Sequence, residues 1–204
     1  MNLTGAIIFP GTFNPIHNGH LKLAEYARQS TGAKKVILVP AYSPYHKENQ
    51  TNATPQDRLE MTRLAVKDNP KFEVSDIEFQ VRDEKTYTVN TIKELIKRSE
   101  DSVSQKLKLL IGADSFENLD TWYKIKELAD MVRFVVVTRP GKRPLAEIKQ
   151  NLKTENIEYE QIEQNLDVSS TLVREKIKKG QDISGLVPEP VARYIYEHKL
   201  YVDG

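Results

Sequence analysis

Residues 11–20, Gly-Thr-Phe-Asn-Pro-Ile-His-Asn-Gly-His, combine the residue types that bind an anion. They lie between a short apolar run and a stretch with helical spacing. Glycine lets a ligand approach the backbone, a helix start offers free N–H groups, and imidazoles donate hydrogen bonds to phosphate oxygens. His17 and His20 are three residues apart, so at a helix start they share one face and converge on one ligand. The segment therefore predicts an anion site.

A plainer interpretation of the same loop remains open. Gly11 and Pro15 would only form a turn, and the two histidines would be surface or satisfied core residues. The shared face of His17 and His20 favours the ligand interpretation. The loop matches neither Gly-x-Gly-x-x-Gly nor Gly-x-x-x-x-Gly-Lys-[Ser/Thr], so dinucleotide and P-loop cofactor sites are disfavoured.

A second group of anion-binding residues occurs late in the chain. Ser169, Ser170 and Thr171 open a predicted helix, and Arg174 follows one turn inside it. Hydroxyls, free N–H groups and a guanidinium together suit a phosphate. The simpler alternative is an ordinary N-cap with a surface arginine. Pairing with the first loop favours the site.

Alternating strands and helices must position these loops. Strands are expected at 6–9, 35–40, 72–76, 106–112, 132–138 and 157–162, and helices at 19–29, 55–68, 89–98, 145–152, 171–179 and 191–198, with a polar loop after the third strand. This order predicts an α/β fold with a doubly wound parallel sheet, in which ligands bind beyond the carboxyl ends of the strands. We expect one domain over 1–204, with a helical cap from about residue 168.

Composition limits the class of protein. The 204 residues carry 30 Lys+Arg against 29 Asp+Glu, and 39% are hydrophobic. The absence of cysteine excludes disulfides, thiolate nucleophiles and Cys-ligated metals. The near-balanced charge does not indicate binding to nucleic acid or to membranes, which would need an excess of basic residues. The sequence has no run typical of a signal peptide or a membrane-spanning helix, so a cytoplasmic location is expected. The sequence leaves open whether the protein forms a homo-oligomer.

The motifs resemble those of the nucleotidyltransferases with a His-x-Gly-His motif, and most closely the bacterial nicotinate-nucleotide adenylyltransferases. The resemblance runs in order through 11–20, 44–47, 85–88, 111–116, Trp122, 139–141, 168–174, 194–196 and 200–201. One departure is Pro10, where the family usually has glycine. Proline removes a backbone N–H there and fixes φ, which affects a phosphate contact at this residue.

The resemblance implies a Rossmann-like fold and adenylyl transfer from ATP to nicotinate mononucleotide, giving nicotinate adenine dinucleotide and pyrophosphate in NAD biosynthesis. A phosphate monoester is already mostly ionised at neutral pH, so this nucleophile needs no activating base. Positioning and charge neutralisation would do the work. Mg²⁺ is expected with ATP, held mostly by phosphate oxygens and water, with no protein metal ligands.

The same resemblance assigns roles to individual residues. The expected catalytic residues are His17, His20 and Arg174. The expected ATP-binding residues are Gly11, Thr12, Phe13, His17, His20, Gly112, Asp114, Arg139, Ser169, Ser170, Thr171 and Arg174. The expected nicotinate-mononucleotide-binding residues are Asn14, His46, Lys47, Thr86, Tyr87 and Trp122.

Some of these assignments have plainer alternatives. Trp122 would stack on the pyridine ring, or it is a core residue. Asp114 would meet ribose hydroxyls or a metal-associated water, or it caps a helix. Arg139 would reach the adenylate or only cap its strand. Main-chain N–H groups of Thr86 and Tyr87 would receive the nicotinate carboxylate, which favours the acid over the amide.

Other functions share parts of this pattern. An adenylyltransferase acting on nicotinamide mononucleotide or on phosphopantetheine would keep the first loop, although Trp122, Thr86, Tyr87 and the chain length disfavour the latter. An aminoacyl-adenylate-forming enzyme would need a tRNA-binding part. A non-catalytic nucleotide sensor would keep the fold, but the presence of His17, His20 and Arg174 favours an enzyme.

Overall fold

Six parallel strands form one sheet with the order β3-β2-β1-β4-β5-β6. The computed structural model describes residues 2–44, 51–81, 86–100, 105–141, 143–165 and 167–202. The strands are β1 (Ala6–Gly11), β2 (Lys35–Pro40), β3 (Phe72–Val74), β4 (Leu107–Gly112), β5 (Val132–Thr138) and β6 (Tyr159–Glu163). This order reverses between β1 and β4, which is the point where doubly wound sheets bind ligands. The predicted fold class is confirmed.

Helices cover both faces of the sheet. They are α1 (Asn18–Ser30), α2 (Pro55–Val66), α3 (Ile77–Val81), α4 (Thr88–Lys97), α5 (Ala113–Glu117), α6 (Ile125–Met131), α7 (Leu145–Asn151), α8 (Ser170–Lys178) and α9 (Glu189–Glu197). Ile7 and Phe9 pack with α1, α2, α8 and α9, whereas Ala6 and Ile8 pack with α3 to α7. The alternation of neighbouring residues between the two cores is what a buried strand requires. No described helix is long and apolar enough to cross a membrane.

Helix α2 begins as its sequence predicts. Thr54 accepts a hydrogen bond from the Asp57 N–H at 3.1 Å, and the Asp57 carboxylate accepts from the Thr54 N–H at 2.8 Å. Pro55 opens the helix, where its missing N–H breaks no hydrogen bond.

The expected polar loop after β3 is wrong in part, because the five-residue helix α3 begins there at Ile77. Helices α5 and α6 were not expected either. With five to seven residues each, these helices are too short to show a helical period. Burial selects them instead, since Ile77, Phe116 and Leu128 lie in the core.

Pro10 lies in a central strand, a position that normally excludes proline. The next residue, Gly11, turns its carbonyl toward β2, where it accepts from the Ala41 N–H at 2.9 Å. Consecutive residues of a strand direct their backbone groups to opposite sides, so Pro10 faces the β4 side. Pairing with β4 ends at Ile8, two residues earlier. Pro10 therefore interrupts no strand pairing.

A buried arginine ties the ends of β1 and β2 together. Arg58 of α2 is fully buried, and its guanidinium donates to the carbonyl oxygens of Thr12 at 2.8 Å, Ala41 at 2.6 Å and Tyr42 at 3.1 Å. Burial lowers the pKa of Arg58, and the charge of nearby Glu78 opposes that shift. One side chain thus satisfies carbonyls of two loops at the carboxyl edge of the sheet.

We expect Arg58→Lys to destabilise the protein by about 2 kcal/mol or more, because one ammonium cannot span three carbonyls and leaves buried acceptors unsatisfied. Urea unfolding measures this. Arg63→Lys is the matched control, since Arg63 lies on the same helix but pairs with Asp76 at the surface. Its effect should stay within about 0.5 kcal/mol. Equal effects of the two substitutions would show that Arg58 does not hold the loops.

Candidate active site

A cleft of about 1320 Å³ opens at the carboxyl ends of β1, β4 and β5 and is bounded by α8. It lies where β1 and β4 separate. All twelve residues expected to bind ATP line it, together with Asn14: Gly11, Thr12, Phe13, His17, His20, Gly112, Asp114, Arg139, Ser169, Ser170, Thr171 and Arg174. The structure therefore brings together segments that are up to 163 residues apart, from Gly11 to Arg174. What each residue contacts in ATP stays a prediction.

His17 and His20 stack at the start of α1, with ring centroids 3.6 Å apart. They form a reciprocal capping box: the Nδ1 of His17 accepts from the His20 N–H at 3.3 Å, and the Nδ1 of His20 accepts from the His17 N–H at 3.2 Å. An Nδ1 that accepts a hydrogen bond carries no proton. Each neutral ring therefore has its proton on Nε2. The pair can present two N–H donors on one face, as their spacing predicted.

His17 stays neutral at physiological pH. Only 5% of the residue is exposed, and burial lowers its pKa from 6.5 to about 4. A neutral imidazole still donates one hydrogen bond. His17 is therefore suited to stabilise an oxygen that gains negative charge, and not to act as a general base.

Two glycines let this loop close tightly. A Cβ on Gly19 would lie 2.9 Å from Nδ1 of His17 and 3.1 Å from the Val168 carbonyl oxygen. A Cβ on Gly11 would lie 2.6 Å from the ring of Phe13, which has a φ of 47°. Side chains at either position would push an aromatic ring out of place.

Helix α8 contacts the same loop from the far end of the chain. The Ser170 hydroxyl donates to the Pro15 carbonyl at 2.9 Å, and Arg174 Nη1 donates to the Asn14 carbonyl at 2.7 Å. Ser169 is the N-cap and accepts from the Leu172 N–H at 3.1 Å. The cap interpretation is thus correct for Ser169. Arg174, in contrast, is half-buried and lines the cleft, so it is not merely a surface residue.

Asp114 and Arg139 are exposed at the cleft. The N-cap of α5 is Gly112, so the alternative that Asp114 caps a helix is wrong. Sequence reasoning missed Lys178 and Thr51, which also line the cleft. Lys178 could have been found from its spacing, because it lies four residues after Arg174 and so on the same face of α8.

The residues expected to bind the mononucleotide are less concentrated than those expected to bind ATP. His46 and Lys47 lie outside the described residues. Thr86 and Tyr87 line a smaller hollow of about 270 Å³, while the half-buried Trp122 packs against the core and lines neither space. The Thr86 N–H and hydroxyl both donate to the Ser43 carbonyl at 3.0 Å. A carboxylate at this N–H must therefore displace Ser43.

Within the described ranges, no group of three or more His, Asp or Glu side chains could hold a metal ion. The cations that line the cleft in that part of the chain are Arg139, Arg174 and Lys178. Among the described lining residues, the positive charge of the cleft therefore comes from arginine and lysine side chains.

The lowered pKa of His17 predicts a pH-dependent stability. Between pH 6.5 and about 4 the unfolded chain binds a proton at His17 that the folded chain does not, so stability falls as the pH falls through this window, by up to about 3 kcal/mol. His17→Asn keeps a capping oxygen but removes the titration. Urea unfolding from pH 7 to 4 should show wild-type stability falling relative to the variant. Parallel curves for the two proteins would contradict the assignment.

Comparison with known proteins agrees with this geometry. The sequence profile described as cytidylyltransferase-like matches residues 8–176. A probable nicotinate-nucleotide adenylyltransferase of Desulfitobacterium hafniense (strain Y51) is 40% identical over 199 residues, which cover 95% of this chain and 94% of the relative. One of Dehalococcoides mccartyi (strain CBDB1) is 37% identical over 202 residues, 95% of each chain.

Solved structures share the fold. The nicotinic acid mononucleotide adenylyltransferase of Plasmodium falciparum complexed with NaAD superposes with a TM-score of 0.75 over 96% of both chains at 17% identity. On the extent of the profile match and the identity to full-length relatives, the chain belongs to the cytidylyltransferase-like family, within its nicotinate-nucleotide adenylyltransferases.

Proposed function

We propose that this protein transfers the adenylyl group of ATP to nicotinate mononucleotide, as a single nucleotidyltransferase domain acting in NAD biosynthesis in the cytoplasm. The observation that carries the proposal is the His17–His20 pair, with both Nε2–H donors set by the capping box, in a cleft shared with Arg174. The names of the relatives support it. So do the neighbouring Plasmodium falciparum structures, one complexed with NaAD and one with APC.

The reaction is a displacement at the α-phosphorus of ATP. A phosphate oxygen of nicotinate mononucleotide forms a bond to that phosphorus, and the bond to the bridging oxygen breaks, so that pyrophosphate leaves with the electron pair. No proton has to be removed from the nucleophile, because a phosphate monoester is largely ionised at neutral pH. Catalysis then consists of alignment and of stabilising oxygens that gain charge.

His17 and His20 supply neutral N–H donors to those oxygens in this proposal. Arg174 and Lys178, one turn apart on α8, supply positive charge to the triphosphate, and the free N–H groups at the start of α8 add to it. Asp114 and Arg139 lie after β4 and β5 and face the adenylate side. Mg²⁺ enters with ATP as part of the substrate and neutralises its charge.

Nicotinate mononucleotide occupies the side of Asn14 in this proposal, with His46 and Lys47 at its phosphate. Trp122, Thr86 and Tyr87 receive the pyridine ring and its carboxylate. The carboxylate replaces the Ser43 carbonyl as acceptor of the Thr86 N–H. Nicotinamide has one acceptor oxygen where nicotinate has two. Its NH₂ group would face a main-chain N–H and leave both donors without an acceptor, so the acid is favoured.

Pyrophosphate release by the purified protein with ATP and Mg²⁺ tests the reaction. We expect a clearly higher kcat/KM with nicotinate mononucleotide than with nicotinamide mononucleotide or phosphopantetheine. Equal rates with acid and amide would refute the specificity argument but keep the reaction. No release with any of the three would favour a nucleotide sensor.

His20→Ala should lower kcat by about 100-fold or more, because it removes a donor to the developing charge. The matched control is His198→Ala, whose exposed ring stacks on Tyr194 instead of lining the cleft. The control should keep wild-type kinetics. Near-normal turnover of the His20 variant, with the fold intact by circular dichroism, would contradict the role of His20 as a donor to the developing charge.

Gly19→Ala should reduce kcat/KM by about tenfold or more and lower the melting temperature. Alanine normally stabilises a helix relative to glycine, but here its Cβ meets the His17 ring and the Val168 carbonyl. Gln29→Ala, at an exposed position in the last turn of α1, is the control and should change neither quantity appreciably. A Gly19 variant that is more stable and equally active would contradict the close packing.

A further inference from the structure

The C-terminal end of the described chain returns to the first loop. Tyr201 is 2% exposed, and its hydroxyl donates to Oδ1 of Asn14 at 2.7 Å. Its backbone N–H donates to Oδ1 of Asn52 at 2.7 Å, and Nδ2 of Asn52 donates to the Lys199 carbonyl at 2.9 Å. The segment is therefore fastened by its main chain, and its hydroxyl is left to act on Asn14.

Asn14 is held on three sides. Its backbone carbonyl oxygen accepts from Arg174, its side-chain Oδ1 accepts from the Tyr201 hydroxyl, and its side-chain Nδ2 donates to the Thr51 hydroxyl at 3.2 Å. An amide nitrogen has two hydrogens, and this contact uses one. Asn14 and Thr51 both line the cleft. Among the described residues the second N–H has no acceptor, so a ligand in the cleft can supply one.

The Tyr201 hydroxyl selects this orientation of the amide. Burial raises the pKa of Tyr201, so the hydroxyl keeps its proton and needs an acceptor. Oδ1 of Asn14 is that acceptor. In the flipped amide, Nδ2 would face the hydroxyl, the buried O–H would lose its acceptor, and an oxygen would take the place of the N–H at the cleft. An oxygen there would repel a phosphate.

We propose that Tyr201 is a positioning residue of the active site, whose hydroxyl holds the Asn14 amide with an N–H directed to the phosphate of the mononucleotide substrate. The identity of that ligand rests on the proposed function. The orientation of the amide rests on the contacts alone. The C-terminal segment thereby completes the acceptor half of the site.

Tyr201→Phe tests the proposal, because it removes only the hydroxyl. Tyr194→Phe is the matched control. The Tyr194 hydroxyl donates to Oδ1 of Asp57 at 2.9 Å, so it also fastens the C-terminal region, but Asp57 belongs to the capping box of α2 and does not line the cleft. A merely structural role of Tyr201 would make the two variants alike. Melting temperature, kcat and both KM values are measured for each.

We expect Tyr201→Phe to raise the KM for nicotinate mononucleotide about fivefold, the effect of one hydrogen bond, with the KM for ATP within about twofold of wild type. Tyr194→Phe should leave both KM values within about twofold of those of the wild type. In an Asn14→Ala background, Tyr201→Phe should add nothing, since the hydroxyl acts through Asn14. Equal effects of the two tyrosine variants, or an undiminished effect in the Asn14→Ala background, would overturn the proposal.

Asn14→Asp gives a second test that keeps the tyrosine in place. Aspartate still accepts from Tyr201 but presents an oxygen where Nδ2 stood. It should weaken binding of nicotinate mononucleotide by more than Tyr201→Phe does. Wild-type affinity of this variant would overturn the proposal even if Tyr201→Phe failed to fold.

Calorimetric titration with nicotinate mononucleotide in the absence of ATP separates the two proposals. Wild-type binding and turnover, with Tyr201→Phe unaffected, would overturn the positioning role and keep the function. Binding that Tyr201→Phe weakens, without turnover, would keep the positioning role and overturn the function. No binding by the wild type would overturn both.

Discussion

One buried guanidinium holds the loops after β1 and β2 against each other, because Arg58 donates to carbonyl oxygens in both. Parallel strands that end at a common edge leave carbonyls without partners, and water is excluded where the loops pack. Glu78 completes the network, since its carboxylate accepts from the Tyr42 N–H at 3.0 Å and from the Thr91 hydroxyl at 2.7 Å. The first loop can therefore carry exposed functional groups on a fixed backbone.

The second support of that loop comes from the opposite end of the chain. Helix α8 reaches the carbonyls of Asn14 and Pro15, and the Asn18 N–H donates to the Leu186 carbonyl at 2.8 Å. Arg174 thus has two roles. It fixes the backbone of the first loop, and it places positive charge at the cleft. Loss of its guanidinium would alter both, so an arginine substitution alone cannot separate binding from positioning. The tyrosine hydroxyl, which carries no charge, can.

The sequence predicted those features that have a local physical cause. Strands β2 and β5 cover the predicted residues, 35–40 and 132–138, because most of each strand is a buried apolar run. The convergence of His17 and His20 follows from their spacing of three residues, which places them at the N-cap and N3 positions of α1. Arg58 could not be found, because its partners are backbone carbonyls of Thr12, Ala41 and Tyr42, which lie 46, 17 and 16 residues away in the chain. Tyr201 was missed for a similar reason, since its partner Asn14 is 187 residues away.

The stacked histidines also explain where the charge of the cleft must come from. Two imidazolium rings with centroids 3.6 Å apart would repel each other, and burial already disfavours a charge on His17. Because Nδ1 of each ring accepts a backbone N–H, each ring has its one proton on Nε2, and the pair contributes directed N–H groups without net charge. Positive charge is left to Arg139, Arg174 and Lys178, the cationic side chains that line the described part of the cleft. Such a division suits a reaction between polyanions: neutral donors are held in a fixed geometry, while arginine and lysine side chains supply the positive charge that attracts phosphate groups to the cleft.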